Sequence, residues 1–389
     1  MNSSGDTGLK KARFWSRKMK IGIDVRSTLK RKRRTGIGYY TLNLVKHLAA
    51  ADPENQYFLY SYIKPFDFKR RLPELPGPNF RHRLDRLSFR PEIKMKDMDV
   101  FHSSSYDVPP LESAKLVTTI HDIIPLMFSE GFPEEYLKKL ENDIKKVLKE
   151  SDLVVVDSIN TKKDLQEKFS PVPTKVKVIY PGRDESFSPM DDKEKAFFRL
   201  RKKYGIEREF ILYVGTIEKR KNVAGLAGAF LELKKEKNLP HLLVIVGMKG
   251  WESEKVFEMV EKSGLEKDVR FTSYIDRKDM NLFYNAAEVF VYPSLYEGFG
   301  LPVLEAFSCG TPTVTSFTTS CGEIAGDAAL TVDPRDSAGM KKAIYRLLTD
   351  KTLREELRAR ALSRARLFSW DKAAEEFSGI FRELGSGKK

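Results

Sequence analysis

Cysteine is nearly absent from this sequence. Cys309 and Cys321 are its only two, too few for a disulfide framework and wrongly spaced for a metal-ligand set. A reducing, cytoplasmic setting is therefore expected. No apolar run approaches the roughly 18–20 residues that a membrane-spanning helix needs. Residues 1–18 also lack the apolar stretch of a secretory signal. Any membrane contact is thus expected to be peripheral, on the inner face of the cytoplasmic membrane. The sequence shows no repeat of solenoid period and no low-complexity segment, which sets aside repeat and fibrous architectures.

What is present is ample. The 389 residues, 41% apolar and 11% aromatic, suffice for two ordinary domains, since single cores rarely grow beyond about 250–300 residues. The net charge of +14 is unevenly spread. Up to residue 34 there are twelve Lys or Arg against Asp6 and Asp24, so +10 of it sits there. Residues 1–18 read as a disordered basic tail that could touch an anionic membrane surface. The Lys-Arg-Lys-Arg-Arg run at 30–34 lies inside the fold beside a glycine pair and suits a phosphorylated partner. No nucleic acid is expected, because no reader fold accompanies the charge.

Short β-branched segments alternate with helical patterns along nearly the whole chain. Strands are expected at 20–25, 57–62, 100–103, 116–120, 153–156 and 176–179, with helices at 39–50, 133–149 and 161–169. Residues 63–98, rich in Pro and Arg, carry no clear pattern. Tyr180-Pro181-Gly182 stops the sixth strand, and polar residues 186–193 read as a linker. The alternation then restarts, with strands at 210–214, 242–246, 269–271, 289–291 and 313–315 and helices at 223–237, 252–262, 278–287 and 302–308. Helices at 338–349, 352–367 and 371–384 close the chain. This is an α/β protein with two parallel sheets in series. The expected division is an N-terminal Rossmann-like domain at 19–185, a C-terminal one at 186–368, and a terminal helix, 369–389.

Four constellations carry chemistry. In 292–311, YPSLYEGFGLPVLEAFSCGT, a strand runs into a glycine loop, and Pro302 marks the first turn of a helix. Amides at Gly300, Leu301 and Val303 could bind a diphosphate. Glu297 and Glu305 would repel it and suit neutral hydroxyls instead. In 214–222, VGTIEKRKN, Gly215 ends a strand, and Arg220 and Lys221 lie where ligands bind in open sheets. The third is Gly36-Ile37-Gly38 after the first strand. A third fingerprint glycine is missing there, which argues against a nicotinamide enzyme and for a loop that approaches a substrate phosphate by backbone contact. His121 ends the strand at 116–120, and His102 is a weaker candidate of the same kind. Asp97-Met98-Asp99 resembles an Asp-x-Asp metal site but precedes its strand, so no metal site is expected. Cys309 reads as a small buried residue.

These motifs resemble those of a GT-B-fold retaining glycosyltransferase of family four (group 1), mannosyltransferase-like. The likeness runs from residue 19 to residue 384. Its most specific part is the Glu-x7-Glu spacing of Glu297 and Glu305, supported by GTIEKRKN, TGIGYY, TTIHDIIP and VIYPG. The resemblance implies two Rossmann-like domains facing across a cleft, with the last helix returning to the first. It implies a nucleotide-sugar donor as co-substrate, no cofactor and no metal. Glu297 and His121 would contact the donor sugar, Glu305 the ribose, and Arg220 and Lys221 the diphosphate. Gly215, Gly298, Phe299, Gly300, Leu301 and Pro302 would complete the donor site. GDP-mannose is the first expectation for the donor and a UDP-sugar the second. The acceptor would be a saccharide or a lipid-linked one, as in surface polysaccharide or lipopolysaccharide assembly. A GT-B phosphorylase or a nucleotide-sugar epimerase would share the fold.

Overall fold

A computed structural model describes residues 17–29, 36–67, 70–86, 90–107, 111–172, 175–251, 253–273 and 275–387. The basic tail at 1–16 and the basic run at 30–34 lie outside the described residues.

The first half begins β1 (Lys20–Asp24), α1 (Gly36–Ala51), β2 (Gln56–Tyr62), β3 (Phe80–Asp85) and α2 (Pro91–Lys94). It continues β4 (Val100–Ser103), β5 (Lys115–Ile120), α3 (Ile124–Met127), α4 (Glu134–Glu150), β6 (Leu153–Val156), α5 (Ile159–Lys168) and β7 (Lys175–Val178). The second half opens α6 (Lys193–Tyr204), β8 (Phe210–Val214), α7 (Val223–Lys237), β9 (Leu242–Val246), α8 (Glu254–Ser263) and β10 (Val269–Thr272). Next come α9 (Arg277–Ala286), β11 (Val289–Tyr292), α10 (Leu301–Cys309), β12 (Thr313–Ser316), α11 (Thr319–Ala325) and β13 (Leu330–Val332). Three helices finish it: α12 (Ser337–Thr349), α13 (Lys351–Ala365) and α14 (Trp370–Ser386).

Among the described residues the strands form two parallel sheets, ordered β3-β2-β1-β4-β5-β6-β7 and β10-β9-β8-β11-β12-β13. In each, strand order reverses beside the first strand of its half, at β1/β4 and at β8/β11. Loops diverge at such a reversal and open a crevice at the strands' carboxyl ends. One hydrophobic cluster runs from Phe187 to Phe368 and covers the second sheet. Two others cover the faces of the first sheet. Trp370, Ala374, Phe377 and Phe381 of α14 belong to one of these, with Ile21, Ile23 and Leu44. The last helix therefore docks on the first half, as expected. Gly182 permits this turn, because a Cβ there would lie 2.2 Å from the Trp370 backbone nitrogen.

Three local differences from the sequence reading have physical causes. Gly36, Ile37 and Gly38 were expected in a loop but form the first turn of α1. Thr41 Oγ1 donates to the Ile37 carbonyl at 3.0 Å, and the buried stripe Tyr40, Leu44, Val45 and Leu48 carries the helix. The unpatterned 63–98 stretch holds an edge strand, β3, whose sequence FRHRLD is masked by its charge. Its Phe80 stacks on Tyr57, and Arg83 lies over the Phe58 ring. Helix α6 follows the linker and is capped by Asp192, which accepts from the Lys195 amide.

Candidate functional site

A cavity of about 310 Å³ lies between the two sheets at the β8/β11 reversal. Its walls bring together residues from both halves: Ile37, Tyr40 and His121 from the first, Lys221, Glu297 and Glu305 from the second.

Glu297 is only 9% exposed. Three donors converge on its Oε1: Arg220 Nη1 at 2.9 Å, the Tyr292 hydroxyl at 2.8 Å and Ser294 Oγ at 2.9 Å. Burial alone would raise its pKa, but Lys221, Arg220 and the two hydroxyls outweigh that and hold it below the usual range. Arg220 also pairs with Glu218 at 2.6 Å and donates to the Tyr296 carbonyl. Burial would lower its pKa, yet the neighbouring carboxylates raise it, so it stays cationic. Lys221 itself lines the cavity, with Nζ 6.0 Å from the Tyr292 ring centre.

Glu305 has the opposite environment. Burial raises its pKa despite Arg277 at 3.4 Å and the Tyr284 hydroxyl at 2.8 Å. Two glutamates eight residues apart are thus pushed in opposite directions, one toward firm ionisation and one away from it. Arg277, at the start of α9, is fixed by its ion pair to Asp184, just before the linker. It also lies over the Tyr39 ring at 4.7 Å.

The loop between β11 and α10 is shaped by close approach. A Cβ on Gly298 would lie 2.5 Å from Asp122 Cβ and 3.0 Å from the His121 carbonyl. Gly300 takes φ +102, a left-handed conformation that favours glycine, and caps α10. Pro302 sits in the first turn. The Val303 amide, expected to be open to a phosphate, instead donates to the Gly300 carbonyl at 3.0 Å.

His121 projects from the end of β5 with Nδ1 2.7 Å from Asp157. Its Nε2 is buried without a protein partner, and the Tyr40 ring meets it edge-on. Burial would lower its pKa, but the Asp157 carboxylate, with Asp122 behind, raises it above the ordinary value.

The halves also bond directly. The Gly298 carbonyl accepts from Ser158 Oγ at 2.7 Å and Thr161 Oγ1 at 3.2 Å. Glu323 of α11 accepts from the Ile159 and Asn160 amides, at 2.8 and 3.1 Å, at the amino end of α5. It also accepts from the Tyr180 hydroxyl at 2.6 Å.

Residues 34–187 match Glycosyltransferase Family 4, and residues 196–364 match Glycosyl transferases group 1. The O-antigen chain mannosyltransferase B of Escherichia coli is 30% identical over 371 residues, 90% of this chain and 96% of that protein. This chain belongs to the glycosyltransferases. The serotype-specific mannosyltransferase WbdA of Escherichia coli is 31% identical over 74% of this chain, which spans 36% of that longer protein. Among solved structures, sucrose-phosphate synthase from Thermosynechococcus elongatus shares the fold, with a TM-score of 0.74 at 19% identity. That alignment covers 95% of this chain and 100% of the other.

Within the transferase, Gly36, Ile37, His121, Lys221, Glu297, Gly298, Phe299, Gly300, Leu301, Pro302 and Glu305 line one cavity. Gly38 is buried in α1. Arg220 and Gly215 stand outside the lining: Arg220 behind Glu297, and Gly215 packed against Gly247 and Lys221. His102 is buried in the sheet, bonded to Thr119 at 2.9 Å. Asp97 pairs with Arg83 and Lys20, and Asp99 accepts from the Lys20 amide. Cys309 is buried beside Asn281, and burial pushes its thiol pKa up. Sequence reasoning passed over Arg277, Asp157 and Glu323. Arg277 follows β10 with Lys278 beside it, so the strand-end argument used for Arg220 and Lys221 applied to it as well. Asp157 and Glu323 act only through partners distant in sequence.

Proposed function

We propose that this glycosyltransferase moves a mannosyl group from GDP-mannose to a saccharide or lipid-linked acceptor, retaining anomeric configuration and needing no metal ion or cofactor. The sugar assignment follows the mannosyltransferases it resembles. The observation that carries the donor assignment is the cavity at the β8/β11 reversal, where Lys221 and Arg277 flank two glutamates.

Each group has a task in this reading. Lys221 and Arg277 hold the diphosphate, and the amino end of α10 faces it. With Oε1 of Glu297 committed to three protein donors, its other oxygen accepts from the donor sugar's hydroxyls. Glu305 accepts from the ribose. His121 lies near the sugar, oriented through Asp157. Arg220 holds Glu297 and adds positive field behind it.

The reaction is a front-face displacement. The acceptor oxygen forms a bond to the anomeric carbon as the bond from that carbon to the phosphate oxygen breaks. The departing phosphate takes the acceptor's proton on the same face. Fixed cations neutralise the charge that develops on the leaving group, at no cost of reorganisation. Contact between the halves excludes water and suppresses hydrolysis. On the inner membrane face, the basic segments would meet anionic lipid.

A thermal-shift panel with EDTA present tests the donor. GDP and GDP-mannose should stabilise the protein, by about 2.7 kcal/mol at a hundredfold excess over Kd. Stabilisation by UDP-sugars alone would transfer the assignment to that donor class. Conversion of donor without acceptor would indicate an epimerase, and phosphate-dependent release of sugar phosphate a phosphorylase. NMR of the product's anomeric centre tests retention.

A further inference from the structure

The side chain of Glu297 is fixed by Arg220, Tyr292 and Ser294, and its backbone is fixed from elsewhere. Ser320 Oγ donates to the Glu297 carbonyl at 2.7 Å, and the Glu297 amide donates to Thr319 Oγ1 at 3.3 Å. Thr319 and Ser320 open α11, so one helical turn serves both main-chain polar groups of this glutamate. Ser320 is fully buried, where an unmade hydrogen bond is costly. Thr319 takes φ +56, a left-handed conformation that strains a β-branched residue. Such strain persists only where the surroundings over-determine it. Here the bond to the Glu297 amide is among the contacts that hold it.

The same helix reaches the other half. Glu323, one turn beyond Thr319, accepts from the Ile159 and Asn160 amides at the start of α5. Ser158 and Thr161, on either side of those amides, donate to the carbonyl of Gly298, the residue after Glu297. The Glu297–Gly298 step is therefore clasped twice, by α11 from its own half and by α5 from the other. Glu323 ties the two clasps together. Arg364 of α13 steadies the far end of α11, donating to the Glu323 and Ile324 carbonyls at 2.8 and 3.0 Å. This short helix thus sits as one rigid piece between α5 and the Glu297 loop.

We propose that Thr319 and Ser320 are positioning residues that aim Glu297 at the donor sugar, and that Glu323 makes this aim depend on contact with the first half. The inference rests on the reading above that Glu297 accepts from the sugar's hydroxyls. It adds that parting the halves loosens Glu297 itself, so the sugar is gripped only when they meet. The nucleotide does not need this grip.

The test measures Kd for GDP and for GDP-mannose by calorimetry on the full-length protein, and follows the ratio of the two. Thr319→Gly removes the hydroxyl while suiting the left-handed φ. It should leave Tm and GDP affinity near wild type and weaken GDP-mannose binding about fivefold, the worth of one hydrogen bond. Thr319→Ser keeps the hydroxyl and should restore the ratio to within about twofold. Ser320→Ala should shift the ratio in the same direction with some loss of Tm. Glu323→Ala should shift it too, and adding Ser320→Ala to that variant should cost less than it does alone, because both act on one contact. Wild-type ratios in both Thr319→Gly and Ser320→Ala would overturn the inference, and strict additivity would overturn the link through Glu323. Glu297→Gln is the control: a wild-type ratio there would sink the reading of Glu297 on which the inference rests. Binding of UDP and UDP-glucose in place of the guanosine pair would overturn the GDP-mannose assignment alone, and the same variants are then read with that pair.

Discussion

Arg220 Nη1 lies 2.9 Å from Glu297 Oε1, and both side chains are largely buried. Neither is stable there without the other, because removing one partner strands a buried charge. Arg220→Ala should lower kcat about a hundredfold or more, as loss of one preorganised cation does. It should also destabilise the fold by about 3–5 kcal/mol. Arg220→Lys should recover part of the stability but less of the rate, since the ammonium cannot serve Glu297, Glu218 and the Tyr296 carbonyl together. Steady-state kinetics and chemical denaturation separate the two effects.

The His121–Asp157 contact predicts a pH signature. The folded-state pKa of His121 lies above its ordinary 6.5. The pair therefore stabilises fully below that ordinary value, and the contribution fades as pH rises through the elevated folded value. The Tm gap between wild type and Asp157→Asn should be widest in mild acid and narrow in alkali. A gap that grows with pH would contradict the pairing.

Two glycines of the site should behave differently. A Cβ on Gly36 meets nothing within 4 Å, so Gly36→Ala should keep Tm or raise it by up to about 1 kcal/mol equivalent. A Cβ on Gly298 would meet Asp122 and the His121 carbonyl. Gly298→Ala should therefore part the halves and cut activity at least tenfold, with each sheet's core intact by circular dichroism.

Glu323 joins the halves by receiving two amides at the start of α5. Glu323→Ala should cost about 1–2 kcal/mol, as for loss of a charged cap. It should also raise donor hydrolysis relative to transfer, because a looser cleft admits water. An unchanged ratio of hydrolysis to transfer would show that this contact does not govern closure.

Much of this arrangement was legible in the sequence because its signals are local. Short continuous apolar runs marked the buried strands Phe210–Val214 and Leu242–Val246, and helical periodicity marked the amphipathic α14. The Gly300–Pro302 step marked the start of α10. What stayed hidden depends on partners far along the chain. β3 is an edge strand whose charged outer face reads as loop, and β13 is three residues long. Arg277 reaches the cavity only because Asp184 and Tyr39, both from the first half, hold it there. Arg220 was placed at the right loop, but its grip on Glu297 could not be seen, since the two lie 77 positions apart and are brought together only by β8 pairing with β11.

A crystal structure of the enzyme with bound GDP tests the central claim most directly. The account predicts the diphosphate between Lys221 and Arg277 at the amino end of α10, with the ribose hydroxyls on Glu305. A nucleotide seated away from these four elements would contradict it.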